Sequence, residues 1–248
     1  MKKKRLFMFL PAVIFVLLLC VCISQDFSND DTDGITGKTI TQNEIGTYGG
    51  MGYELWKDRP VTARMTIGEA GTFNCRWSSN GNFNVLFRTG RKFEPRLRHE
   101  RIGDISVTYA AAWAPSGTGV SYLCVYGWTQ NPLIEFYIIE SWGHNNRPPG
   151  SWSGASRKGT LEIDGGIYDI YTSRRVNQPS IEGTRTFEQY WSVRRTKRTE
   201  GTISVSEHLK RWESLGMNLG TLYEVAFTIE GFNSSGTATV TQNTLTIR

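Results

Sequence analysis

Two glutamates, Glu135 and Glu230, stand in apolar runs that alternate like β-strands. A carboxylate there is costly unless it is solvated, paired or used. In Leu133–Ile139, Ile134, Phe136 and Ile138 point one way, and Leu133, Glu135 and Tyr137 the other. In Val225–Glu230, Val225, Phe227 and Ile229 form one face, and Ala226, Thr228 and Glu230 the other. Glycoside cleavage needs two carboxyl groups flanking one bond. Glu54, Glu162 and Asp169 are further acids, so the choice of pair stays open at this point. Glu140 faces away from Glu135, where a salt bridge or solvent is expected. A third run, Ser121–Trp128, carries Tyr122, Cys124, Tyr126 and Trp128 opposite Leu123, Val125 and Gly127. Aromatic rings beside polar groups suit the apolar faces and hydroxyls of sugars; ordinary packing of a sheet's second face accounts for them as well.

What must position these residues is a set of short strands. From about Asn43 onward, alternating runs follow one another, separated by Gly, Pro, Asn and Ser. A single segment has helical spacing, Ser206 to Leu215, with Ser206 as the expected N-cap and Gly216 as its end. The fold class expected is all-β, a β-jelly roll or sandwich of two twisted antiparallel sheets with one α-helix. No internal repeat and no second domain is visible.

The first 24 residues read as a secretory signal peptide, a basic start (Lys2, Lys3, Lys4, Arg5) before the apolar run Leu6 to Val21. An uncleaved anchor is the alternative. Residues 25–42 read as a polar linker or loose arm, and 43–248 as a single domain. The chain has 28 basic and 23 acidic residues, for a net charge of +5. Four of the basic ones belong to the leader, so the remainder is close to neutral and gives no support for nucleic-acid binding. Cys20 and Cys22 leave with the leader. Cys75 and Cys124 remain and could pair in an exported protein. The three histidines, His99, His144 and His208, are scattered without metal-ligand spacing.

The run Tyr122–Gly143 resembles the nucleophile signature of glycoside hydrolase family 11, the endo-β-1,4-xylanases. Glu230-Gly231-Phe232-Asn233-Ser234-Ser235-Gly236 resembles that family's acid/base signature. The resemblance extends over residues 43 to 248, through Tyr53–Asp58, Gly165–Tyr171, Gln178–Gly183, Gln189–Arg194 and Gly216–Gly220. It implies a jelly roll whose larger sheet curls into a cleft for xylan. It also implies Glu135 as nucleophile, Glu230 as acid/base, and Asn82 as the residue beside the acid/base. Trp56, Tyr122, Tyr126, Trp128, Tyr137, Arg175, Pro179 and Gln189 are implied substrate contacts, with Gln178–Ile181 at the tip of a thumb loop. The expected protein is a secreted, extracellular monomer that hydrolyses xylan and xylo-oligosaccharides with retention and needs no metal or cofactor. A non-catalytic sugar-binding sandwich and a cellulose-cleaving endoglucanase are the rival readings. Two stretches depart from the family pattern, the long charged loop Glu94–Asp104 and the join His144-Asn145-Asn146.

Overall fold

The structure is a computed structural model that describes residues 34–78, 81, 83–144, 146–150 and 153–248; the expected leader and Asn82 lie outside these. In chain order the strands are β1 (Lys38–Ile40), β2 (Glu44–Tyr48), β3 (Met51–Lys57), β4 (Thr62–Ile67), β5 (Phe73–Ser78), β6 (Asn84–Lys92), β7 (Ile105–Ser116) and β8 (Val120–Gln130). There follow β9 (Ile134–Trp142), β10 (Ser156–Ile163), β11 (Gly166–Ser180), β12 (Gly183–Arg194) and β13 (Glu200–Ile203). The helix α1 (Val205–Ser214) precedes β14 (Thr221–Phe232) and β15 (Ser235–Ile247).

Six strands form one sheet in the order β1-β4-β5-β15-β7-β13, and nine form the other in the order β10-β11-β12-β9-β8-β14-β6-β3-β2. Part of the segment read as a loose arm is therefore a strand, since Lys38–Ile40 pairs with Met65–Ile67. All neighbours are antiparallel except β12 and β9, which run parallel with Gln189 beside Glu135. The expected two-sheet jelly-roll sandwich with one helix is what forms.

The alternation read from the sequence sorts the two faces of the nine-stranded sheet. Phe136, Ile138, Val225, Phe227 and Ile229 join the core between the sheets. Each such side chain contributes roughly 1.5–3 kcal/mol on burial. Tyr109 of β7 stacks on Phe227 of β14 with ring centroids 4.6 Å apart, which fixes the spacing of the layers. The other face carries a second cluster that includes Tyr122, Tyr126, Trp128, Tyr137, Phe187 and Trp191.

Neighbouring strands approach closely in the middle of this sheet. A Cβ on Gly127 would come 2.1 Å from the Glu224 carbonyl oxygen and 2.3 Å from the Phe136 ring. At Gly90 it would come 2.4 Å from Ala226 Cα. Only glycine fits at either place. Register shifts between Leu123 and Cys124, and between Leu222 and Glu224, add bulges that bend the ribbon further.

The helix begins at Ser204, not at Ser206 as the sequence suggests. Ser206 is buried, and its hydroxyl accepts the Ile105 backbone N–H at 2.8 Å. The Ser204 hydroxyl is turned to Asp164 instead of the helix. Gly216 ends the helix as expected, at φ 75°. The Met217 N–H bonds to the Trp212 carbonyl and the Gly216 N–H to that of Glu213, which closes the last turn. Leu209 and Trp212 dock this helix, and Trp212 Nε1 donates to Ser192 Oγ at 3.0 Å. Cys75 and Cys124 are unpaired and buried on different sheets.

Candidate active site

Among the described residues six carboxylates are buried: Glu54, Glu135, Glu140, Asp169, Glu224 and Glu230. Arginines hold four of them. Arg88 pairs with Glu54 at 2.7 Å and with Glu224 at 3.2 Å, Arg198 with Glu140, and three arginines with Asp169. Glu135 and Glu230 have no ion pair among the described residues, and both face the curled side of the large sheet.

Glu135 is satisfied by neutral donors. Tyr126 and Tyr137 donate their hydroxyls to Oε1 at 2.9 and 3.3 Å, and Gln189 donates Nε2 to Oε2 at 2.6 Å. Each donor is itself held. Trp128 Nε1 bonds to the Tyr126 hydroxyl at 2.5 Å. The Ser173 hydroxyl donates to Gln189 Oε1 at 3.0 Å, which sets the direction of the amide, and accepts Trp191 Nε1 at 2.9 Å. Burial pushes the Glu135 pKa up, and these hydrogen bonds oppose it. The tyrosine and tryptophan rings wall the group: Tyr137 stacks on Trp191 at 4.2 Å, and Tyr122 meets both edge-on.

Glu230, on β14, lies across from Tyr122 on one side and Leu86 on the other. Asn84 Nδ2 donates to its Oε1 at 3.0 Å. Its Oε2 is buried with no hydrogen-bond partner among the described residues. Burial and the nearby Glu135 charge raise its pKa to about 7, against the pull of Asn84. The two carboxyls thus sit in unlike surroundings, Glu135 among three neutral donors and Glu230 with a single amide.

The other expected contacts lie on strands of the same sheet. Trp56 is half-buried on β3, level with Leu86 and so with Glu230. Arg175 lies on β11 and donates to Gln178 at 3.2 Å. Pro179 pairs with Thr184 near the tip of the β11–β12 hairpin. Asn82 is outside the described residues, and the amide that meets Glu230 belongs to Asn84, two positions on.

Arg88, Glu54 and Glu224 escaped the sequence reading as a set. They share the curled face, and the Arg88 guanidinium lies 5.1 Å from the centroid of the Tyr126 ring. A groove of about 510 Å³ continues past them, lined by Gly50, Gly52, Gly90 and Lys92 among others. The available signal was spacing, since Glu224 precedes Glu230 by an even number of residues on one strand. Among the described residues one trio, His99, Glu100 and Glu213, has metal-like spacing, but Arg98 already bridges the two glutamates.

A profile of the glycosyl hydrolases family 11 matches residues 48–241. The chain belongs to that family. Endo-1,4-beta-xylanase A of Thermoclostridium stercorarium is 55% identical over 213 residues, 86% of this chain and 31% of that protein. The chain thus spans about a third of that relative's length. Endo-1,4-beta-xylanase A of Bacillus pumilus is 54% identical over 210 residues, 85% of this chain and 87% of that one. The structure of the family 11 xylanase from Neocallimastix patriciarum matches with a TM-score of 0.77 at 37% identity, covering 85% of this chain and 99% of that one.

Proposed function

We propose that this protein is an endo-1,4-β-xylanase that hydrolyses internal xylosidic bonds with retention of configuration. The observation that carries the reading is the ion-pair census. Of the six buried carboxylates among the described residues, the two without an ion pair are Glu135 and Glu230, though the Arg175 charge acts on both, and they share the aromatic side of the large sheet. The names of the relatives supply the substrate class.

Glu135, ionised among neutral donors, attacks the anomeric carbon, while Glu230 delivers its proton to the leaving oxygen. The sugar is then an ester of Glu135. That esterification removes the charge that helps to hold Glu230 near 7, so Glu230 becomes an easier base and takes a proton from the water that attacks the anomeric carbon, breaking the ester and freeing Glu135. An amide neighbour serves both states: Asn84 can turn its NH₂ to a carboxylate or its carbonyl to a carboxylic acid. Trp56 provides a ring face for a xylose unit, and the β11–β12 hairpin tip closes over the chain. The leader supports action outside the cell.

The test is reducing-sugar release from xylan and from carboxymethylcellulose, with product configuration followed by NMR. Release from xylan with a β product formed first is expected. Release from carboxymethylcellulose alone would move the substrate to glucans, and an α product would replace the double displacement by inversion.

A further inference from the structure

Among the described residues, Asp169 is the one buried carboxylate with more cations than it can neutralise. Arg147 NH2 reaches its Oδ2 at 2.9 Å, and Arg157 NH2 its Oδ1 at 3.1 Å. Arg195 reaches it through Nε and NH2, the latter at 2.9 Å. Burial pushes the Asp169 carboxyl up, but the arginines outweigh it and hold it below its ordinary value. Among the described residues no second acid pairs with any of the three. Lys197 adds another positive charge nearby, its Nζ 5.0 Å from the Trp142 ring centroid, with Arg147 5.7 Å from the same ring. The cluster carries surplus positive charge, and Arg157 and Arg195 are about half exposed at 52% and 48%.

Its place matters. Asp169 pairs with Val193, whose side chain belongs to the aromatic cluster of the curled face. Tyr171, half-buried, packs against that cluster and accepts Arg147 NH1 at 3.4 Å. Strands β10 to β12 flank β9 on the side away from β3, so the cluster and Trp56 sit on opposite flanks of Glu135 and Glu230. A polysaccharide passing Trp56 and the two glutamates runs on toward these arginines.

Guanidinium groups fork onto carboxylates, and Arg157 spends one of its donors on Asp169. We propose that Arg157 and Arg195, both seated by Asp169, form a subsite for the carboxylate of a uronic-acid branch on the xylan chain. The inference rests on the xylanase reading above. The subsite makes the enzyme favour chains with an acidic branch beyond the cleaved bond, on the side away from Trp56. A cluster that served solely to fasten the segment around Arg147 would confer no such preference.

The experiment compares two xylo-oligosaccharides of one shape, one bearing a uronic-acid branch and one with that carboxyl reduced to the alcohol. The readout is the ratio of their kcat/KM values. Wild type is expected to favour the acid by about tenfold, the size of one charge-assisted hydrogen bond in a partly exposed site, and to lose that preference in high salt. Arg157→Gln/Arg195→Gln should bring the ratio to about one, while Arg157→Lys/Arg195→Lys should keep part of it. Cleavage of the reduced substrate reports that each variant is folded. A wild-type ratio near one, or a ratio indifferent to the glutamines, would overturn the inference and leave the xylanase reading standing. Failure of wild type to cut either substrate would overturn both.

Discussion

Glu135 and Glu140 lie five residues apart on β9, and the sheet gives them opposite fates. Both are buried. Glu135 takes its hydrogen bonds from two phenols and an amide. Glu140, the residue skipped where the β8–β9 register shifts, turns into the space between the sheets. There it accepts Tyr109 at 2.8 Å, Tyr168 at 2.5 Å and Arg198 Nε at 2.5 Å. Neutral donors hold a carboxylate in place and leave its charge for chemistry; a guanidinium holds it and cancels the charge. The first arrangement costs stability, and the second forms a closed polar joint.

The sharpest break in that comparison comes from Glu135→Gln. The amide cannot form the glycosyl ester, so kcat should fall by more than about 10⁴-fold, the scale of losing a nucleophile. Affinity for xylo-oligosaccharides should persist. Turnover near the wild-type rate would end the case for Glu135.

Glu230→Gln should lower kcat/KM on xylan by roughly 10²–10⁴, and less on aryl xylosides, whose leaving groups need little protonation. Azide should then yield a β-glycosyl azide. The same change should alter stability with a definite sign. Folding raises this carboxyl from 4.5 to about 7, so the folded state holds more protons between those values. Wild-type stability therefore declines as pH rises through that window. The glutamine should soften the decline, which melting curves from pH 4 to 8 would show; curves of unchanged slope would contradict the raised pKa.

Glu140→Gln should behave as the mirror image. It leaves Arg198 and two phenols around a neutral group, at about 3–5 kcal/mol of stability. Activity per folded molecule should stay within a few-fold. A variant as stable as wild type but inactive would mean that Glu140 takes part in the chemistry.

Trp56→Ala should weaken oligosaccharide binding by about 1–3 kcal/mol, by analogy with aromatic stacking of nucleic-acid bases. Bond cleavage in the bound complex should change less. Titration calorimetry with an inactive background decides it, and equal affinities would remove Trp56 from the cleft.

The smallest effect is one of position. With Glu135 needed ionised and Glu230 protonated, kcat/KM should fall as pH rises through about 7. Asn84→Asp puts a third carboxyl on Glu230, and the active form then needs that carboxyl protonated. The profile should move to the acid side; superimposable profiles would show that Asn84 does not act on Glu230.

The two glutamates were legible because strand alternation puts a residue on a face without any knowledge of its neighbours. Asn84 was not, because Asn82 and Asn84 share parity. Placing Asn84 needs the start of pairing, which the Asn84–Phe232 register supplies. The set Arg88, Glu54 and Glu224 requires the register of three strands at once. The helix start was misread because Ser204 and Ser206 are alike in sequence. What separates them is a tertiary contact, the Ile105 N–H that claims the hydroxyl of Ser206.

The parallel seam between β9 and β12 also governs when the chemistry can begin. Parallel neighbours need a crossover, and here it contains β10 and β11. Glu230 arrives from later still, on β14. Closing such distances costs entropy before any contact rewards it, and topologies of this kind fold slowly. An unfinished chain holds two separate, ordinary glutamates and hydrolyses nothing. On the proposed reading, catalytic power is the last property the polypeptide acquires, and the onset of turnover should time the end of refolding.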